Sequence, residues 1–297
     1  MKTISFPSRS KRALHLMLPL ALLCFFSGAP RGVDSARVFG IVNLCEETIW
    51  PAVTPASESF GSGGGFALRP GQSVAFTAPA GGWSGRVWAR TGCRFDASGN
   101  GSCATGACGA ALRCGGASGE PPASLAEFTL SPARDFYDVS LVDGFNLPVA
   151  VRPVNGRGNC TAAGCDGDLR RTCPPELAVR AGGRTVACRS ACDVFDTDRY
   201  CCRGQFGGPG TCGATAYSGK FKAACPTAYS YAYDDRSSLF TCSNADYIIA
   251  FCSQRKDVCS FHNNRLVCND SGRSYWPITS RLLLLLPLIF LALQISA

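Results

Sequence analysis

The chain has 297 residues, including 33 glycines, 18 prolines and 19 cysteines, and a formal net charge of +8. Taking residues 37–270 as the mature body removes seven basic residues and one acidic residue, which leaves 22 and 20 and a net charge of about +2. The basicity therefore belongs to the ends, and a nucleic-acid partner, which calls for a basic body, loses its support. Heptads and 20–50-residue repeats are absent. The two histidines are His15 and His262, so the body ahead of Cys259 has none. That excludes Ser–His–Asp and Cys–His nucleophiles and a histidine-ligated catalytic zinc. Any hydrolysis has to run on paired carboxylates. No cofactor or metal is expected.

Residues 1–36 open with Lys2, Arg9, Lys11 and Arg12, followed by an apolar run from Ala13 to Phe26 and then small residues. This predicts a secretory signal peptide, cut between Ala29 and Arg37. The apolar run is too short to span a bilayer comfortably. Val38–Asn43 reads as a strand leading to Cys45, Thr48–Trp50 as its return, and Ser73–Thr77 and Gly85–Arg90 as further strands. In the last, Arg86, Trp88 and Arg90 alternate with Val87 and Ala89, and Arg90 is by default a surface residue. Gly and Pro punctuate these short runs, so the fold class is mainly β.

The stretch LAEFTLSPARDFYDVSLVDGFNLP, residues 125–148, concentrates Glu127, Asp135, Asp138 and Asp143 on β-type sequence. Carboxylates on strands face solvent by default. Asp138 and Asp143 are five apart and would face opposite sides of a regular strand. They share a cleft only if the chain bends before Asp143, and Gly144 permits a bend.

Cys24 leaves with the signal peptide, and 18 cysteines remain. An even number in a secreted chain predicts up to nine disulfides. Scarce histidine and the adjacent Cys201 and Cys202 argue against zinc. Short loops such as Cys108–Cys114 suit local staples. A bridge from Cys45 to Cys252 would tie the ends of the body together, worth about 4–5 kcal/mol in the chain-entropy model. The region 160–225 is rich in Gly and Cys and poor in apolar runs, so it depends on disulfides more than on a core.

At the C-terminus, the small residues Asn269, Asp270, Ser271 and Gly272 precede a polar spacer and the apolar run Leu282–Ala297. This predicts a glycosylphosphatidylinositol anchor at Asp270 or Ser271, with a tail-anchored span as the alternative. Sequons for N-glycosylation stand at Asn100, Asn159 and Asn269.

Eight segments carry a resemblance: FGIVNLCEETIWPAV, GRVWARTGCRFD, GNGSCATGAC, PPASLAEFTL, DFYDVSLVDGFNLPVAV, CPPELAV, SACDVFDTDRYCCRG and CPTAYSYAYDDRSSLFTC. With sixteen cysteines in matching order, the chain resembles the thaumatin-like proteins of the plant pathogenesis-related class over about residues 37–255. The resemblance implies a flattened β-sandwich (about 37–90, 116–163 and 226–255), a disulfide-rich lobe with a helix (about 164–225) and a small stapled loop (about 91–115). It implies the pairs Cys45–Cys252, Cys93–Cys103, Cys108–Cys114, Cys160–Cys242, Cys165–Cys225, Cys173–Cys188, Cys192–Cys201 and Cys202–Cys212. Cys259 and Cys268 fall outside that set and are expected to pair with each other in a stalk, 256–270, ahead of an anchor signal, 271–297.

The family's cleft residues carry over onto Arg90, Glu127, Asp138, Asp143 and Asp234, with Asp235 beside the last. Asp135 is left on the solvated face. One departure is Ala107, where the family usually has an aspartate; it lies in the stapled loop. The resemblance implies an acidic cleft that binds β-1,3-glucan or another fungal cell-surface component, with Phe145 and Tyr233 available to stack on sugar rings. The alternative is a weak endo-β-1,3-glucanase, with Glu127 as general acid, Asp143 or Asp138 activating water, and Arg90 holding one carboxylate ionised. Binding is preferred to catalysis. A cell-surface sensor is the third reading. The expected partners are the fungal ligand and, through the lipid anchor, the plasma membrane; the expected state is a monomer at the extracellular face of the plasma membrane or in the cell wall.

Overall fold

A computed structural model describes residues 36–55, 64–79, 82–253, 258–262 and 265–269. The predicted leader, the anchor segment and its attachment residues Asp270 and Ser271 lie outside these. The strands of the body are β1 (Val38–Asn43), β2 (Trp50–Thr54), β3 (Ser73–Thr77), β4 (Trp83–Arg90), β5 (Arg94–Phe95), β6 (Gly101–Ser102), β7 (Leu125–Leu130), β8 (Asp135–Ser140), β9 (Val149–Val154), β10 (Ala163–Gly164), β11 (Ala178–Ala181), β12 (Arg184–Cys188), β13 (Phe240–Cys242) and β14 (Asp246–Phe251). One five-stranded sheet runs β10-β9-β14-β1-β3 and the other β13-β8-β7-β4-β2. Among the described strands, only β1 and β14, from opposite ends of the body, pair in parallel.

The two sheets share a single apolar core. Phe39, Ile41, Val151 and Ile249 from the first sheet meet Val53, Val87, Phe128 and Val139 from the second. At its centre the Phe39 ring lies 4.9 Å from Phe128, edge to face, and 5.4 Å from Tyr247. Burying a side chain of this size contributes roughly 1.5–3 kcal/mol. The expected return strand at Thr48–Trp50 starts only at Trp50; Ile49 makes an isolated bridge to Leu68. Pro51 is tolerated because β2 is an edge strand.

Among the described residues, eight disulfides are present, in the same eight pairs that the resemblance implies. Four of them close the lobe: Cys165–Cys225, Cys173–Cys188, Cys192–Cys201 and Cys202–Cys212. The lobe contains the β11–β12 hairpin and three short helices, α1 (Ala191–Phe195), α2 (Asp198–Cys201) and α3 (Ala216–Ala224). Thr215 and Ser218 form a reciprocal capping box at the start of α3, and Phe221 is its buried anchor. A fourth helix, α4 (Asp235–Ser238), precedes β13. After the body, β15 (Val258–His262) and β16 (Arg265–Asn269) form a hairpin whose backbone register sets Cys259 opposite Cys268.

Asp135 is fully buried rather than solvated. Its carboxylate takes a salt bridge from Arg37 Nε at 3.2 Å and hydrogen bonds from the Tyr247 hydroxyl and the Ser131 N–H. A charge cannot stay buried without such partners. Phe145 is also fully buried in the core, where its backbone pairs with Cys188, so no sugar reaches its ring.

Candidate ligand-binding site

Strand alternation builds the first half of the site. The register aligns Arg86 with Glu127 and Glu127 with Asp138 across β4, β7 and β8. Directly opposed residues share one face of a sheet. The next row, Val87, Ala126 and Val139, faces the other way and is fully buried. A one-residue slip would exchange the two rows, so the core fixes where the charges point.

Within the charged row, Arg86 Nε sits 2.6 Å from Glu127 Oε1. Burial pushes the Glu127 carboxyl above its usual range, Arg86 opposes that shift, and Asp143 adds to it. Asp138 is shifted much further, to about 8, by burial first and then by the charges of Glu127 and Asp235, against the pull of Arg86. One of its oxygens, Oδ1, is buried and has no hydrogen-bond partner among the described residues. Tyr229 docks beside β8 through its backbone, Tyr229 N–H to Val139 and Leu141 N–H to Tyr229. Its hydroxyl donates to Asp235 Oδ1 at 2.8 Å, which brings Asp235 toward Asp138.

Asp143 leaves the strand on a tight turn. The Gly144 N–H closes onto the Leu141 carbonyl at 3.0 Å, and Gly144 adopts φ +89°, a conformation that favours glycine. This is the bend that the spacing of Asp138 and Asp143 requires. Asp143 then lines a cavity of about 260 Å³ whose other wall is the lobe, including Arg199, Tyr200 and Tyr217, with Tyr231 from the segment after the lobe also lining it. Asp143 thus belongs to both halves, coupled to Glu127 on one side and to the cavity on the other.

Two of the residues carried over from the family do other work. Arg90 has no solvent exposure. Its guanidinium donates to the carbonyls of Trp50, Ala111 and Leu112, and lies over the Phe95 ring. It holds the stapled loop, and burial pushes it down to about 10. The arginine that holds a carboxylate in the site is Arg86. Asp234 is spent on structure too: Lys222 Nζ lies 2.8 Å away, and Ser230 and Ser237 also donate to it. That network ties residues 228–238 to α3. Tyr233 donates its hydroxyl to the Gly207 carbonyl. Asn100 and Asn159 are both exposed.

Residues 43–253 match the model of the Thaumatin family. The chain belongs to the thaumatin family. It is 56% identical over 234 residues to a pathogenesis-related thaumatin-like protein 3.5 of Cryptomeria japonica, covering 78% of this chain and 95% of that one. It is 55% identical over 219 residues to pathogenesis-related protein 5 of Arabidopsis thaliana, covering 73% and 90%. Among solved structures, a thaumatin-like xylanase inhibitor aligns with a TM-score of 0.40 and 26% identity, covering 72% of this chain and 99% of that one.

Sequence reasoning does not reach Arg86 or the three tyrosines as site residues, and it notes Asp235 only as the neighbour of Asp234. Arg86 and Arg90 occupy equivalent alternating positions in GRVWAR, and no local signal separates them. The distinction comes from the stapled loop, which covers only the end of β4 that carries Trp88 and Arg90.

Proposed function

We propose that the chain is a secreted defence protein that binds a fungal cell-surface glucan, β-1,3-glucan, in the cleft between the Glu127–Asp138 row and the lobe. The observation that carries this reading is the row of Arg86, Glu127 and Asp138, joined through Asp143, which is coupled to Glu127 and lines a cavity of about 260 Å³. Buried carboxyls that keep their protons can donate hydrogen bonds to sugar hydroxyls, and ionised ones can accept them. Similarity to proteins named as pathogenesis-related supports a defence role. Eight disulfides favour folding in an oxidising compartment, as the secretory pathway provides. The reading includes removal of 1–36 and 271–297, N-glycans at Asn100 and Asn159, and a lipid anchor at Asp270 or Ser271. Release from membranes by a phosphatidylinositol-specific phospholipase tests the anchor.

The deciding experiment is calorimetric titration of the purified mature protein with laminarihexaose, paired with a laminarin turnover assay. Binding without turnover is expected, and Asp143→Asn is expected to weaken it. No binding at millimolar sugar would sink the reading. Hydrolysis is the second reading, favoured by one observation: the Asp138 carboxyl keeps its proton at neutral pH, as a general acid must. That moves the acid role from Glu127, whose Arg86 partner favours the ionised form, to Asp138. Turnover abolished by Asp138→Asn with the fold intact would establish it.

A further inference from the structure

The geometry points to the lobe's tyrosine wall as the part of the cleft that recognises a neutral pyranose ring, with Asp143, the member of the acidic site that lines the same cavity, acting on its hydroxyls. This rests on the cleft reading but assigns its specificity to residues outside the five cleft positions carried over from the family. Phe195, Tyr200 and Tyr217 form one aromatic cluster, with ring centroids 5.3–5.6 Å apart. Tyr200 and Tyr217 line the cavity and are half-buried, and Phe195 stays 37% exposed. Aromatic side chains gathered at a cavity mouth, rather than scattered over the surface, mark a binding face.

The surrounding polar groups narrow the ligand. Arg199, Asp143 and Asp193 also line the cavity. One guanidinium and two carboxylates favour neither a polyanion nor a polycation. A neutral sugar suits them, because each hydroxyl both donates to a carboxylate and accepts from a guanidinium. The pyranose then offers its C–H face to the negative face of an aromatic ring. The rings are tilted 34–74° to one another, so stacking falls to a single ring face, which would select sugars with equatorial hydroxyls, whose own ring faces are free of polar groups.

The wall is also held ready. Tyr200 sits on α2, a helix of four residues that buries none of them, and α1 before it likewise buries none. Helices so short do not persist alone. Cys192–Cys201 and Cys202–Cys212 fix them, and Cys192, Cys201 and Cys212 border the cavity. A wall fixed before binding spares the ligand the cost of ordering it.

The test titrates the full mature protein with laminarihexaose, cellohexaose and xylohexaose, comparing wild type, Tyr200→Ala, Tyr200→Phe and Asp138→Asn. Tyr200→Ala is expected to weaken binding about tenfold while Tyr200→Phe, which keeps the ring, stays within about twofold. Saturation-transfer NMR on the unmodified protein gives a check that needs no variant: sugar ring C–H protons should receive magnetisation from the tyrosine rings. If a hexaose binds but Tyr200→Ala changes nothing and no ring protons are saturated, the tyrosine wall is refuted while the acidic cleft stands. If laminarihexaose fails and another neutral hexaose binds through Tyr200, the wall stands and the glucan reading falls. If none of the three binds, both fall.

Discussion

The two sides of the proposed cleft are built by opposite means. On the sandwich side, Glu127 and Asp138 sit on central strands whose backs, Ala126 and Val139, are fully buried. Their positions follow from register, and they cannot shift without disturbing the core. On the lobe side, α1 and α2 contribute no buried residue. Tyr200 is held by covalent loops of 9 and 10 residues. One wall is placed by hydrophobic burial and the other by staples. The first should yield only with global unfolding, and the second should loosen alone.

The largest effect expected comes from the sandwich. Asp135→Ala removes the carboxylate that Arg37 and Tyr247 share in the interior. Breaking a buried pair from one side costs about 3–5 kcal/mol, because the remaining charge stays buried. Guanidinium chloride unfolding of the mature protein should show the whole transition moved to lower denaturant. A loss below about 1 kcal/mol would mean that this pair does not hold the two sheets together.

The lobe should respond locally. Replacing Cys192 and Cys201 together by serine opens a 9-residue loop, worth about 2–3 kcal/mol in the chain-entropy model. Amide exchange should speed up over residues 190–203 while the amides of β7 and β8 keep their protection. Equal loss of protection in both regions would show that lobe and sandwich unfold as one unit, and the contrast drawn above would collapse.

That contrast also separates what the sequence reveals from what it hides. Periodicity finds the strands of the sandwich, because alternation is a local consequence of one buried face. It correctly aims Val87 inward and Arg86 outward. It fails at Arg90 and Asp135, where a distant segment covers the face: the stapled loop in one case, Arg37 and Tyr247 in the other. Burial of a charge depends on what arrives from elsewhere in the chain, and alternation carries no trace of it. The family motif names Glu127, Asp138 and Asp143, which the structure brings near one another, yet it cannot distinguish Asp234, consumed by Lys222, from Asp235, whose charge acts on Asp138. The tyrosines were invisible for another reason. Nothing in CDVFDTDRYCC says which ring faces a cavity until the disulfides fold the segment.

A smaller effect should appear as a pH dependence. The Asp138 carboxyl titrates near pH 8 in the folded protein and near 4 when unfolded. Between those values the unfolded chain has lost a proton that the folded one keeps, so stability falls as pH rises from about 4 to about 8. Glu127, also raised, adds to the same slope. Asp138→Asn should flatten it. The variant should match wild type near pH 4 and exceed it by about 1–2 kcal/mol at pH 8, a modest figure because solvent still screens a half-buried carboxyl. Identical pH profiles would mean that the carboxyl is better solvated than its burial implies.

The smallest effect separates charge placement from stability. Arg86 is 45% exposed at its side chain and Glu127 27%, so their pair belongs to the class worth about 0–1 kcal/mol. Arg86→Ala should leave the unfolding midpoint nearly unchanged. It should nevertheless move the Glu127 carboxyl further up, because the one charge that opposes its burial is gone. Carboxyl NMR titration reads this directly, and Arg86→Lys should restore most of the downward pull without the planar contact. A large stability loss would place Arg86 with Arg90, as a structural clamp. An unmoved Glu127 would instead leave burial alone in control of the row, and the site's charge would then be a property of the sheet and not of the arginine opposite it.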